Sequence, residues 1–145
     1  MASLFTKIIR GEIPCYKLAE DDRYFAFLDI RPVTKGHALV VTKEETDYLF
    51  DLHPDTLSGL MPFAQQVAAA IRAVVPCKRI GVAVLGMEIP HAHVHLIPLN
   101  AESDLDFRKS KSLLAPEEME ELAGQIRAYF NLNPLSTPSF PQTRL

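Results

Sequence analysis

The segment PHAHVHLIP, residues 90–98, alternates histidine with small or aliphatic residues. A period of two is typical of a β-strand, because successive side chains of a strand point to opposite faces of the sheet. One face of this strand would therefore be apolar and pack on a core. The opposite face would carry three of the five histidines in the chain, which are His91, His93 and His95. The alternation predicts a sheet and the orientation of this strand within it.

The periodicity of the remaining sequence predicts a single α+β domain over residues 1–145, with a core to about residue 130 and a proline-containing tail over 131–145. The predicted elements, in chain order, are a short helix within 3–14, strands within 15–22, 24–30 and 37–42, a long helix over 54–75, strands over 79–86 and 93–99, and a last helix over 115–130. Short links between consecutive strands favour an antiparallel sheet over a doubly wound parallel one. We expect Pro62 to kink the long helix or to delay its start. Gly81 indicates a strand irregularity and Gly86 a turn.

The composition argues against several classes of function. Fifteen basic and 18 acidic residues give a net charge of −3, so no overall positive charge attracts nucleic acid or an anionic membrane. The basic run at residues 108–111 is expected to be a solvated loop, with a place near a phosphate as the alternative. Two cysteines provide neither a disulfide framework nor a Cys-x-x-Cys pair, and no apolar stretch reaches the roughly 20 residues that span a bilayer. These features favour a cytoplasmic protein with no membrane or nucleic acid among its partners.

Three kinds of chemistry fit a row of alternating histidines. A solvated polar face is the simplest, although histidine is a rare choice for it. A metal site is the second, since His-x-His is a common ligand spacing, but neither Cys-x-x-Cys nor His-Glu-x-x-His accompanies it. The third is covalent or acid–base catalysis, because a neutral imidazole is a competent nucleophile and its neighbours can donate hydrogen bonds to phosphate oxygens. Gly-x-Ser-x-Gly and Walker-type signatures are absent from the sequence.

The motif HAHVHL, preceded by FTKIIRGEIP and AFLDIRPVTKGHALVV, resembles the signature of the histidine triad (HIT) family. The resemblance implies a HIT-like fold, an antiparallel sheet of about five strands with two main helices and a short N-terminal helix, paired across a two-fold axis into a homodimer. It also implies hydrolysis or transfer of nucleoside monophosphate groups through a nucleotidyl-histidine intermediate.

The same resemblance implies a role for each histidine. His93 would be the nucleophile, and His95 would contact the α-phosphate and the leaving-group oxygen. The backbone carbonyl of His91 would accept a hydrogen bond from the ring nitrogen of His93 that lies away from the substrate. The other nitrogen, Nε2, would then be unprotonated for attack. His37 matches a fourth family histidine beside the triad, with an ordinary strand histidine as the alternative.

The segment FLDI matches the nucleoside pocket of the family. Asp29 would accept hydrogen bonds from the ribose hydroxyls, although a carboxylate there could also cap the strand end or form a salt bridge. The residues expected to enclose the base are Ile30, Phe27, Phe5 and Ile8. For the last two, core packing is the alternative. The backbone amides of Met87 and Glu88 are expected to face the phosphate.

Two departures from the family pattern limit the prediction. Some relatives hold zinc with two cysteines, a later histidine and the first triad histidine, but Ser3, Thr6 and Glu45 occupy three of those positions here, so we expect no metal and no other cofactor. The segment GMEI replaces the Gly-Gln-Ser/Thr-Val of many relatives, and the strand RIGVAV carries no asparagine. The leaving group and the base therefore stay open.

The sequence thus predicts a cytoplasmic HIT-type hydrolase that cleaves nucleoside monophosphate conjugates, of the phosphoramidate or dinucleotide type, and works as a homodimer. The alternative is a module that binds or senses purine nucleotides with little turnover.

Overall fold

The computed structural model describes residues 1–108 and 114–134. Its helices are α1 (Leu4–Ile9), α2 (Pro54–Val74) and α3 (Pro116–Leu132), and its strands are β1 (Lys17–Glu20), β2 (Tyr24–Leu28), β3 (Ala38–Thr42), β4 (Arg79–Ala83) and β5 (His93–Leu99). Two short 3₁₀ turns cover Leu49–Asp51 and Glu102–Leu105. Each predicted helix and strand has a counterpart in the structure. Residues 135–145 of the predicted tail and most of the basic run lie outside the described residues, while α3 continues through Leu132, two residues into the predicted tail.

The five strands form one antiparallel sheet in the order β1-β2-β3-β5-β4. β5 lies between β3 and β4, so the histidine strand is an interior strand and β4 forms one edge. The predicted α+β class with an antiparallel sheet is confirmed. The turn between β1 and β2 is stabilised by Asp21, whose Oδ1 accepts the backbone N–H groups of Arg23 and Tyr24 at 2.8 Å each.

The two faces of the sheet bury two different apolar clusters. The larger cluster joins the sheet to α2 and α3 and includes Val40, Val94 and Leu96. The smaller cluster lies on the other face, beneath α1; its buried members are Phe5, Ile8, Phe25, Phe27, Leu39 and Val41. Alternate residues of β2 and β3 supply the two clusters, as the period of two requires.

Two details differ from the sequence-based expectations. Pro62 does not delay the start of α2, which begins at Pro54 and continues through Pro62. A proline is well suited to the first helical turn, so Pro54 provides the start.

Gly81 causes no break in register, because β4 pairs regularly with β5 from Arg79 to Ala83. A Cβ atom at Gly81 would meet the side chain of Leu99, which would have to shift to make room for it. Gly86 has a φ of 70° and lies in the predicted turn.

Within the described part of the chain, none of the helices combines the length and the apolar character needed to cross a membrane.

Candidate active site

The three triad histidines are buried together on the sheet face that α1 covers. His93 and His95 lie on β5 and are each 8 % exposed, while His91 lies just before the strand and is fully buried. Their side chains point away from the main core, as predicted, but aromatic rings cover them. The ring centroids of Phe5 and His93 are 5.0 Å apart, and those of Phe107 and His95 are 4.9 Å apart.

One hydrogen bond determines which ring nitrogen of His93 carries the proton. His93 Nδ1 lies 2.7 Å from the backbone carbonyl oxygen of His91. Because a carbonyl oxygen only accepts, Nδ1–H is the donor, and in the neutral ring Nε2 keeps its lone pair. The hydrogen bond implied by the family resemblance is therefore present. It leaves a lone pair on Nε2 of the neutral ring.

A second chain of hydrogen bonds determines the tautomers of His37 and His95. The backbone N–H of Val33 donates to His37 Nδ1 at 3.0 Å, so the proton of the neutral His37 ring is on Nε2. This nitrogen lies 2.9 Å from His95 Nδ1 and donates to it. The proton of His95 is consequently on its own Nε2. The structure thus places His37 in contact with the triad and gives His93 and His95 opposite polarity at Nε2, a lone pair on one and an N–H on the other.

His91 is anchored at both ring nitrogens. Its Nε2–H donates to the carbonyl oxygen of Thr42 at the end of β3, at 2.7 Å. Its Nδ1 accepts from the hydroxyl of Ser3, also at 2.7 Å. Burial lowers the pKa of His91, which favours the neutral ring that this bonding pattern requires.

Asp29, His37 and His95 form a group that has the composition of a metal site. One ligand atom from each lies within 4.8 Å of the others. A ligating imidazole nitrogen must offer a lone pair to the ion, but His37 Nε2 carries a proton and His95 Nδ1 accepts it. A cation could therefore bind at this group only if the hydrogen bond between His37 and His95 were broken.

Asp29 follows β2 and lies beside His37. Its Oδ1 accepts the backbone N–H of Arg31 at 2.8 Å, and its Oδ2 lies 3.6 Å from His37 Nε2. The side chain is 22 % exposed. One carboxylate oxygen thus caps the turn after the strand, which was the alternative role considered for this residue, while a partly exposed carboxylate stays beside the histidines.

The residues expected around the base and the phosphate divide into a buried and an exposed group. The buried ones, all in the smaller apolar cluster, are Phe5, Ile8 and Phe27. The exposed ones are Ile30, Met87 and Glu88. The rings of Phe5 and Phe27 meet edge to face at 5.5 Å, so core packing accounts for much of their burial.

Comparison with known proteins identifies the family of the chain. The family model described as HIT domain matches residues 10–102. The chain is 35 % identical over 132 residues to adenosine 5′-monophosphoramidase hnt1 of Schizosaccharomyces pombe, covering 87 % of this chain and 96 % of that protein. The chain belongs to the HIT family.

Solved structures of HIT proteins show the same fold. A histidine triad nucleotide-binding protein described as hypothetical, from Sulfolobus tokodaii, superposes with a TM-score of 0.77 at 27 % identity, covering 94 % of this chain and 97 % of that one. A zinc-bound histidine triad family protein from Mycobacterium smegmatis superposes with a TM-score of 0.76 at 30 % identity, covering 91 % and 95 %. The five-stranded antiparallel sheet with its three helices is thus a HIT fold.

Some residues of this HIT site could not be inferred from the sequence pattern. Phe107 follows a short 3₁₀ turn and contacts the rings of both His95 and His37. The ring centroid of Phe107 lies 4.9 Å from that of His95 and 6.1 Å from that of His37. It lies in a segment without periodicity, so no signal pointed to it. Thr42 takes part through its backbone carbonyl, and a backbone contact leaves no signature in the choice of side chain.

Proposed function

We propose that this HIT protein hydrolyses nucleoside monophosphate conjugates of the phosphoramidate or dinucleotide type through a nucleotidyl-histidine intermediate on His93. The observation that carries the proposal is the 2.7 Å hydrogen bond from His93 Nδ1 to the carbonyl oxygen of His91. This bond exposes a lone pair on Nε2 and also stabilises the positive ring that forms when Nε2 is substituted.

In the proposed first step, the Nε2 lone pair of His93 forms a bond to the α-phosphorus and the bond from phosphorus to the leaving group breaks. The leaving nitrogen or oxygen keeps the electron pair and takes a proton. His95 Nε2–H is suited to donate to the leaving group or to a phosphate oxygen, since His37 bonds its other nitrogen. Water then attacks phosphorus and gives a proton to His95 Nε2. The bond from phosphorus to His93 Nε2 breaks, its electron pair returns to that nitrogen, and the nucleoside monophosphate is released.

The nucleoside end of the proposed substrate meets Asp29 and the aromatic side of the site. Asp29 would bind the ribose hydroxyls, since its carboxylate is partly exposed beside His37. Ile30, Phe27, Phe5 and Ile8 would enclose a purine base, and the amides of Met87 and Glu88 would face the phosphate. Apolar walls discriminate weakly between bases, so we expect broad purine acceptance.

Two relatives named adenosine 5′-monophosphoramidase support the phosphoramidate class, the S. pombe protein and one of Saccharomyces cerevisiae that is 37 % identical over 102 residues. We further propose that residues 1–145 form a single domain that works in the cytoplasm as a homodimer, without a cofactor.

A panel of substrates tests the proposal. Adenosine and guanosine phosphoramidates and dinucleoside polyphosphates are assayed side by side, with and without chelator, on the wild type and on His93→Ala. We expect turnover without added metal, and its loss in His93→Ala with nucleotide affinity largely kept, because Asp29 and the apolar walls remain. A wild type that binds nucleotide but releases no burst of leaving group would favour the binding-module alternative.

A further inference from the structure

Four residues from three distant segments meet beside the triad, and we refer to them as the Glu45 network: Ser3, Thr6, Glu45 and His91. Glu45 Oε1 accepts the backbone N–H of Ser3 and the hydroxyl of Thr6, each at 2.6 Å. The hydroxyl of Ser3 lies 2.7 Å from His91 Nδ1. The network joins the loop after β3, the start of α1 and the approach to β5.

The hydroxyl protons of the network run from Ser3 and Thr6 to their acceptors. Thr6 gives its hydroxyl proton to Glu45. The Ser3 hydroxyl has two acceptors within reach, the Thr6 hydroxyl oxygen at 3.2 Å and His91 Nδ1 at 2.7 Å. The contact to His91 is the shorter one, and His91 Nδ1 accepts because Nε2 of the same ring donates to Thr42. The Ser3 oxygen also accepts the backbone N–H of Thr6 at 3.1 Å and caps α1. The Glu45 carboxylate therefore orients two residues that in turn orient His91.

The position of His91 matters because of its backbone. Its carbonyl oxygen holds His93 Nδ1, and this bond selects the tautomer of His93. The ring of His91 is tied to Thr42 on one side and to Ser3 on the other. The next residue, Ala92, donates its N–H to the carbonyl oxygen of Thr46, in the same loop as Glu45, at 2.7 Å. A displacement of this loop or of α1 would move the carbonyl oxygen on which His93 depends.

We propose that the Glu45 network is a positioning device for the nucleophile: through Ser3 and Thr6, Glu45 holds His91 so that the His91 carbonyl keeps His93 in the tautomer with a free lone pair on Nε2. The inference rests on the proposed function, in which His93 is the attacking group. Neither Ser3, Thr6 nor Glu45 touches substrate in this account. A network with a purely structural role would change stability but leave the His93 ring and the catalytic step as they are.

The test compares Ser3→Ala and Glu45→Ala with two references. Glu45→Gln keeps an oxygen that accepts both hydrogen bonds, and Glu44→Ala removes an exposed carboxylate one residue earlier in the same loop. For each variant, kcat and KM are measured with a nucleoside phosphoramidate. The nitrogen NMR signals of the histidine rings are recorded at mildly alkaline pH, and urea unfolding checks that every variant is folded.

We expect Ser3→Ala and Glu45→Ala to lower kcat by about 10- to 100-fold, as losses of supporting hydrogen bonds do at other sites, with KM changed by less than about 3-fold. In both variants the His93 signals should show a mixture of tautomers, whereas the wild type shows the proton on Nδ1. Glu45→Gln should recover most of the lost turnover, and Glu44→Ala should match the wild type.

Two results would overturn the inference. The first is a folded Ser3→Ala or Glu45→Ala variant with wild-type kcat and a single His93 tautomer. The second is a loss of kcat in Glu44→Ala as large as in Glu45→Ala, which would make the effect one of loop charge. The proposed function fails separately, if His93→Ala keeps turnover. The ring signals need no turnover, so they test the network in either case.

Discussion

Replacement of His37 by asparagine and by glutamine should separate the proposed role of this residue in positioning His95 from its structural role. The carboxamide oxygen of asparagine lies near the place of a histidine Nδ1, and the carboxamide nitrogen of glutamine near that of Nε2. His37→Asn can therefore still accept the N–H of Val33 but cannot donate to His95. His37→Gln can donate to His95 but leaves the Val33 N–H without its acceptor.

The magnitude follows from the burial of the two hydrogen bonds. His37 is 1 % exposed and His95 is 8 % exposed, so a lost partner is not replaced by bulk water. A buried group left without its partner costs about 1–3 kcal/mol. In His37→Asn, His95 Nδ1 loses its hydrogen-bond donor and the His95 proton is free to move to Nδ1, so we expect kcat to fall by about 10- to 100-fold. In His37→Gln, the Val33 N–H loses its hydrogen-bond acceptor, so we expect the free energy of unfolding to drop by about 1–3 kcal/mol.

The assay measures kcat with a nucleoside phosphoramidate and the free energy of unfolding in urea for both variants. We expect His37→Gln to keep the larger share of turnover and His37→Asn the larger share of stability. Equal losses of kcat in the two variants, or a more active asparagine variant, would refute the assignment of the His95 proton to Nε2.

Three further predictions concern the oligomeric state, the zinc content and the pH dependence of stability. Light scattering at micromolar concentration should give twice the mass of the chain. Val82 is exposed on the edge strand β4, and the Val82→Asp variant should be a folded monomer. A monomeric wild type would contradict this prediction. Elemental analysis should find no stoichiometric zinc, since Ser3 and Thr6 offer hydroxyls where a zinc site needs stronger ligands; one zinc per chain that resists dialysis would contradict it. The hydrogen bond from Thr6 and then that from the Ser3 amide lower the pKa of Glu45 from 4.5 to about 2, so its contribution to stability should persist above pH 4.5 and be lost as the pH falls toward 2. The stability difference between the wild type and Glu45→Gln, measured in urea at low salt, should therefore shrink over that range; a constant difference would show that the ionised carboxylate contributes nothing.

Alternation was the part of the sequence that best predicted the structure. In an interior strand with one apolar face, a shift of one residue would exchange the two faces, so the side on which His93 and His95 lie was determined by Val94 and Leu96. The short links between strands similarly determined the antiparallel class. Single prolines and glycines were less reliable predictors of where a helix or a strand is interrupted. Pro62 is accommodated within α2 and Gly81 within a regular ladder, because packing decides whether a proline or glycine interrupts an element.

Contacts between distant segments could not be predicted in the same way. The pairing of His37 with His95 depends on the register of β3 against β5, which places Leu39 opposite His95. The contact of Phe107 with His95 depends on the path of the chain after β5. Serine, threonine and glutamate at Ser3, Thr6 and Glu45 indicated only that a zinc site was missing. Their hydrogen bonds to one another require three segments to meet, and nothing in local periodicity specifies that.

The most direct test of the account is a search for the nucleotidyl group on His93. The wild type is mixed with a nucleoside phosphoramidate, quenched within one turnover under mildly alkaline denaturing conditions, digested, and analysed by mass spectrometry. We expect a transient nucleoside monophosphate adduct on the peptide that contains His93, assigned to that ring by fragmentation and absent from His93→Ala. Release of product with no adduct at any time within the first turnover, or an adduct on a different side chain, would contradict it.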